Sequence, residues 1–307
     1  MAVKKINIIT SLCGAGLERE AILLRSLLST HGIESNFIHY CGGPNERMER
    51  ADLNICLEVI CPQAFSLAPQ TWLAPNCEWW PSINEQYLPR ISKILSKTQD
   101  CQRIWSAKVG ADKCVYTSFE ARDLYRPEIP RHDVFLHVAG KSACKGTDSV
   151  IAAWQLDCTL PPLIVVAENR EFAEQVKKNS TNITLIPRAK EEDLVHLMNT
   201  CRFHVLPSQY EGFGHVIHES LGCGAHVLTT DAPPMNEYEG VFMTLRVASQ
   251  KKQRLAQMST IDPETIKSAV RACQIGDYPK ISLLARDAFL INNQFFRDTM
   301  MGLVKSI

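Results

Sequence analysis

Several features are missing from this 307-residue chain, and each absence excludes something. No two cysteines stand in a Cys-x2-Cys pair, although twelve are scattered along the sequence: Cys13, Cys41, Cys56, Cys61, Cys77, Cys101, Cys114, Cys144, Cys158, Cys201, Cys223 and Cys273. That spacing fits neither a disulfide framework nor a closed zinc site, and reduced thiols in a cytoplasmic protein are the simplest expectation. His215, His218, Cys223 and His226 also match no closed-site spacing, so no metal site is expected. There is no apolar run of transmembrane length. No secretory leader is read, because Met1-Ala2-Val3-Lys4-Lys5 runs straight into a short strand. Charge surplus is absent too: Lys plus Arg is 33 and Asp plus Glu is 33. A dedicated nucleic-acid binder usually carries a basic excess, so that class is disfavoured, while a local basic groove stays open. Asp-x-Asp is missing, with Asp52, Asp100, Asp112 and Asp123 all isolated. Neither a solenoid repeat nor a low-complexity stretch occurs.

Two phosphate-binding motifs are begun and not completed. Ser11-Leu12-Cys13-Gly14-Ala15-Gly16-Leu17 follows the first strand, but Arg19 stands where a dinucleotide fingerprint needs its third glycine. Gly140-Lys141-Ser142 ends like an NTPase phosphate loop, but Phe135 occupies the position of the required earlier glycine.

What is present is an ordinary soluble balance, 45% hydrophobic and 21% charged residues, in a chain long enough for two domains. Strands are read at 6–10, 34–39, 53–59 and 71–74, with a helix at 17–31 closed by Gly32 and a second helix candidate at 84–96. Arg126-Pro127-Glu128-Ile129-Pro130-Arg131 reads as a stiff linker. The alternation then restarts, with strands at 134–138, 163–166, 183–186, 203–206 and 225–228. Helices are read near 148–155, 171–178 and 191–199. Two βα arrays separated by a linker predict an α/β protein of two doubly wound domains. The tail at 284–303 is amphipathic, with Phe289, Phe296, Met300 and Leu303 on one face.

The most informative run is Pro207-Ser208-Gln209-Tyr210-Glu211-Gly212-Phe213-Gly214-His215-Val216-Ile217-His218-Glu219. A strand leads into a glycine turn, and the turn opens a helix. Backbone N–H groups at such a turn can approach an anion, and carboxylates suit a neighbouring group rich in hydroxyls. The run resembles the Glu-x7-Glu signature of retaining glycosyltransferases of group 1 (family 4). That resemblance covers 134–237 and implies the GT-B fold, two Rossmann-like domains facing a cleft. It divides the chain into an acceptor-side domain at 1–128 and a donor-binding domain at 132–285. A C-terminal helix at about 286–307 would return to the first domain.

The resemblance also implies roles. A UDP-, GDP- or ADP-sugar is the expected donor substrate, with no cofactor and no metal. Glu211 would face the donor sugar and Glu219 the ribose. Lys145 and Lys141 would neutralise the diphosphate, Lys141 standing where the family more often has arginine and a longer spacing to Lys-Gly. Gly14, Gly16, Gly140, Ser142, Gly212, Phe213 and Gly214 would line the donor, and Arg188 follows a strand expected to meet the base. Asp231 and its neighbours at 229–234 read either as a donor contact or as a structural turn. Asn76, Glu78 and Trp79 follow a first-domain strand and read equally as an acceptor site or as core filling around Trp79-Trp80. A first-domain histidine often lies near the reacting sugar in the family; His31 and His39 match no such motif. The function implied is sugar transfer to a hydroxyl acceptor on a glycan, lipid or small molecule, a nucleic-acid acceptor being the minority reading. A GT-B-fold epimerase, a phosphorylase and a non-catalytic sugar-nucleotide binder are the alternatives.

Overall fold

A computed structural model describes residues 3–11, 16–40, 48–168, 182–273 and 278–307. The chain forms two compact units. The first comprises Met1–Ala121, Arg254–Ala256 and Asn292–Ile307; the second comprises Arg122–Gln253 and Gln257–Ile291.

The first unit is built on a six-stranded sheet in the order β2-β1-β3-β4-β5-β6. Its strands are β1 (Lys5–Thr10), β2 (Glu34–His39), β3 (Leu53–Leu57), β4 (Thr71–Ala74), β5 (Lys93–Ser96) and β6 (Cys114–Tyr116). All neighbours run parallel. Strands covered on both faces must be apolar throughout, and β3 and β4 are buried at every position. The edge strand β2 buries Ile38 alone. α1 (Gly16–Thr30) packs Ala21, Leu24, Leu27 and Leu28 inward and ends where Gly32, at φ +72°, lets Ile33 N–H return to the Leu28 carbonyl. α2 (Gln99–Val109) starts on Thr98, whose hydroxyl accepts from Cys101 N–H, and buries Trp105.

Two sequence expectations change here. The helix candidate at 84–96 is instead a 3₁₀ stretch, Ser82–Arg90, followed by β5. Pro89 lacks the N–H an α-helix needs, and Ile94 and Leu95 are buried by extended pairing beside β4. α2 itself has no counterpart in the sequence reading.

The second unit carries a parallel sheet in the order β12-β11-β10-β7-β8-β9. Its strands are β7 (His132–Gly140), β8 (Leu163–Ala167), β9 (Ile183–Ile186), β10 (Cys201–Leu206), β11 (His226–Thr230) and β12 (Met243–Leu245). The helix expected at 171–178 lies outside the described residues. Helices α3 (Thr147–Leu156), α4 (Glu191–Thr200), α5 (His215–Gly222) and α6 (Pro263–Ala272) belong to this unit, with a two-stranded sheet of β13 (Val247–Gln253) and, apart from Ala256, β14 (Ala256–Ile261). The sequence reading contains neither α6 nor this pair. Phe135 stacks on Phe203 at 4.7 Å and meets Trp154 edge-on at 5.5 Å in the core.

The change of unit at Ala121–Arg122 precedes the proline-bearing stretch. Arg122 already pairs with Glu219 and Glu191 of the second unit. α7 (Tyr278–Lys305) is one continuous helix that contributes to both units. Within the second, Arg286 clamps Asp123 with bonds of 2.6 and 2.7 Å. Within the first, the Asn293 side chain accepts from Ala121 N–H and donates to its carbonyl, while Phe296 packs on Phe119 at 4.5 Å.

Candidate active site

In the second sheet the chain order reverses between β7 and β10. The first array proceeds outward through β8 and β9, the second through β11 and β12. Ligands of open parallel sheets bind beyond the strand C-termini at such a reversal. The two loops that meet there carry most of the residues singled out from the sequence.

The loop after β7 opens at Gly140 (φ +57°), with Lys141 and Ser142 exposed. Ser142 Oγ accepts from Cys144 N–H, and a short 3₁₀ turn brings Lys145 to Gly146. Gly146 has φ +70°, and an added Cβ would lie 2.3 Å from the Pro207 carbonyl oxygen. Only glycine allows this approach of the two loops. Gln209 N–H donates to the Cys144 carbonyl at 2.9 Å and closes the seam. Across it Lys145 Nζ donates to Glu211 Oε1 at 2.5 Å, with side chains 19% and 8% exposed. The sequence reading assigned both residues to one site, and they touch.

Beneath the seam stands His137, fully buried in β7. Its Nδ1 lies 2.7 Å from the Val205 carbonyl and its Nε2 2.9 Å from Thr147 Oγ1. An N–H must point at the carbonyl, and in the neutral ring Nε2 then accepts from the threonine hydroxyl. Burial pushes its pKa down to about 4, and nearby Lys145 acts in the same direction. Thr229 and Thr230 of β11 donate to the Leu206 and Ser208 carbonyls and pin the start of the second loop.

Beyond Glu211, Phe213 is buried and stacks on His218 at 4.1 Å. Burial lowers the His218 pKa to about 3, so this ring too stays neutral. Gly214, at φ +81°, begins α5. A Cβ there would come within 3.2 Å of Tyr238 Oη and 3.5 Å of Glu211 Cγ, so the bare glycine lets Glu211 run alongside. Glu219 lies inside α5 and is 2% exposed, so it is not a surface acid. Its Oε1 accepts from Arg122 Nε at 2.7 Å. Arg188 is exposed just past β9.

Other expected residues belong to the first unit. Gly16 is the first residue of α1 and Gly14 lies outside the described residues. In the first unit Asn76 donates to Glu58 Oε2 at 2.6 Å. Glu78 is buried, Trp79 is 47% exposed, and Trp80 is core, edge-on to Trp105 at 4.8 Å. Beside them is a polar cluster the sequence reading missed. Lys97, wholly buried, donates to Glu20 at 2.7 Å. Burial pulls its pKa down, but the carboxylates of Glu20, Glu58 and Glu78 outweigh that and leave it raised. Each of these residues follows a strand end or sits on α1, and nothing local in the sequence links them. Among the described residues no group of three His, Cys, Asp or Glu is placed to hold a metal ion, and no helix is long and apolar enough to cross a membrane.

The family model for glycosyl transferases group 1 matches residues 128–257, which span both loops. This segment is similar to the group 1 glycosyltransferases. An uncharacterized glycosyltransferase of Methanocaldococcus jannaschii is 28% identical over 88 residues, 27% of this chain and only 25% of that relative. Among solved structures, HepE of Anabaena in complex with UDP and glucose has a TM-score of 0.70 at 17% identity, covering 99% of this chain and 100% of that one. Sucrose-phosphate synthase of Thermosynechococcus elongatus has a TM-score of 0.71 at 12% identity, covering 99% and 98%. The chain therefore has the GT-B fold, two Rossmann-like units on parallel sheets.

Proposed function

We propose that the protein is a retaining glycosyltransferase that moves a sugar from a nucleotide-sugar donor to a hydroxyl acceptor. The observation that carries this reading is the Lys145–Glu211 pair at the reversal of the second sheet, inside the group 1 segment and beside the start of α5. The 2.5 Å contact keeps a cation and a carboxylate together at the strand ends. In this reading Lys145, with Lys141 and the backbone N–H groups of the glycine turns, stabilises the departing diphosphate. Those cations stand in for a metal ion. As the bond to the leaving oxygen breaks, the anomeric carbon gains positive charge. Glu211 orients the sugar and offsets that charge. The acceptor hydroxyl attacks from the face the diphosphate leaves, and a phosphate oxygen takes its proton. Retention follows without the pair of flanking carboxyls that a retaining hydrolase uses.

Glu219 accepts hydrogen bonds from the ribose hydroxyls, each worth roughly 1.5–3 kcal/mol when charge-assisted. On the first unit, Asn76, Glu78 and the exposed Trp79 are the acceptor residues: an aromatic face beside buried polar groups suits a sugar ring. HepE was solved with UDP, so UDP-sugars are the first donors to try. The test is incubation of purified protein with UDP-, GDP- and ADP-sugars, following slow donor hydrolysis and, with an acceptor sugar added, the anomeric configuration of the product by NMR. Release of nucleoside diphosphate and a product with the donor's configuration are expected. Consumption of no donor, or an inverted product, would refute the reading.

A further inference from the structure

The two carboxylates of the motif are treated alike by the fold. Glu211 is held by Lys145, a residue of the same motif set. Glu219 is held by Arg122, which lies 97 positions earlier and outside the segment matched by the family. Arg122 Nε donates to Glu219 Oε1 at 2.7 Å, with side chains 24% and 3% exposed. The same guanidinium bonds Glu191, the first residue of α4. Its remaining nitrogen, Nη2, is buried and has no hydrogen-bond partner. α4 begins three residues beyond Arg188, so one side chain ties the helix carrying Glu219 to the start of α4. All of these residues belong to the second unit.

A planar guanidinium bonded through Nε fixes the direction of its partner carboxylate as well as its charge. A carboxylate as enclosed as Glu219 would otherwise turn toward whatever donor it could find. We infer that Arg122 is the positioning residue of the nucleoside half of the donor site, holding the Glu219 carboxylate aimed so that it discriminates ribose from a sugar lacking its hydroxyls. This inference rests on the reading of Glu219 as the ribose acceptor. Arg122 acts through Glu219 and touches no reacting atom.

The test uses the full chain and whichever of UDP, GDP and ADP the wild type binds most tightly, beside its 2′,3′-dideoxy counterpart, by calorimetric titration. Wild type is expected to prefer the ribonucleotide by about tenfold or more. Arg122→Ala weakens ribonucleotide binding about tenfold, leaves the dideoxy affinity in place, and so erases the preference. Arg122→Lys restores part of it. In donor hydrolysis KM rises while kcat moves by less than about twofold, the pattern of lost ground-state binding. Adding Arg122→Ala to Glu219→Ala costs nothing more, because the two act as one. If the alanine variant does not fold, Arg122→Lys and Arg122→Gln carry the same comparison. A folded variant that keeps the ribose preference, or that weakens both nucleotides equally, overturns the inference while leaving the Glu219 assignment standing. A wild type that binds both nucleotides equally, or a Glu219→Ala variant that keeps the preference, overturns the assignment and this inference with it.

Discussion

Lys145 and Glu211 stand 66 positions apart in the chain and 2.5 Å apart in space. The proposed division of labour separates Glu211 from Glu219 experimentally. Ribose does not change during the reaction, so Glu219→Ala should raise the dissociation constant for nucleoside diphosphate with little change in turnover. Glu211→Ala should lower turnover and leave that affinity largely intact. Titration and initial rates on both variants check this, and unchanged affinity in Glu219→Ala removes it from the nucleotide site. Gly146 tests the geometry beneath them. Alanine there combines a left-handed backbone with a 2.3 Å approach to the Pro207 carbonyl, so Gly146→Ala should cost at least about 2 kcal/mol. Urea unfolding measures it; an unshifted midpoint would mean the loops do not meet as described. At this scale the sequence was readable where chemistry is contiguous. Glu211, Phe213, Gly214 and Glu219 stand in one run, and Lys145 in another. Arg122 was not readable, because its importance arises only when Glu219 folds against it. His137 left one faint trace, a polar residue inside the apolar run Phe135-Leu136-His137-Val138.

At the scale of elements, neutral buried histidines tie the strands of the second sheet to their helices. His137 links β7 to β10 and α3, and His204 links β10 to Ser220 of α5 at 2.6 Å. Burial pushes their pKa values down to about 4 and about 3, against 6.5 in an unfolded chain. Between those limits the unfolded state binds protons that the folded state refuses. Stability is therefore complete above pH 6.5 and is lost as pH falls toward 4, by on the order of 3 kcal/mol for His137 alone. Urea unfolding at pH 7.5, 6 and 5 should show that decline. His137→Asn, which keeps a donor toward Val205 and cannot titrate, should make it shallower, with His204 still contributing. A stability constant between pH 7 and 5 would contradict the assignment. Element boundaries were legible where apolar runs met a glycine at positive φ, as at the end of α1 (Gly32) and the start of α5 (Gly214). They failed at 84–96, where a helix-like composition hid Pro89 and a strand buried by its neighbour. They failed again at α6, a helix whose start signal, Asp262 capping Glu264 N–H at 2.8 Å before Pro263, was present and unread.

At the scale of the whole molecule, two βα arrays were visible as alternating strand and helix patterns, and both form parallel six-stranded sheets. The order of strands within each sheet was not visible, since it depends on pairings between residues far apart in the chain. The proposed activity places the charge of the diphosphate on protein cations, so activity should survive a strong chelator. Assays with and without EDTA check it; loss restored by magnesium or manganese would move that role to a metal ion. The most direct measurement of the central claim is nucleoside diphosphate release by wild type and Lys145→Ala at saturating donor. Loss of one contact to the developing diphosphate charge is worth roughly 2–4 kcal/mol. The account predicts turnover at least about tenfold lower in a variant that remains folded. Wild-type turnover in a folded Lys145→Ala variant would contradict it.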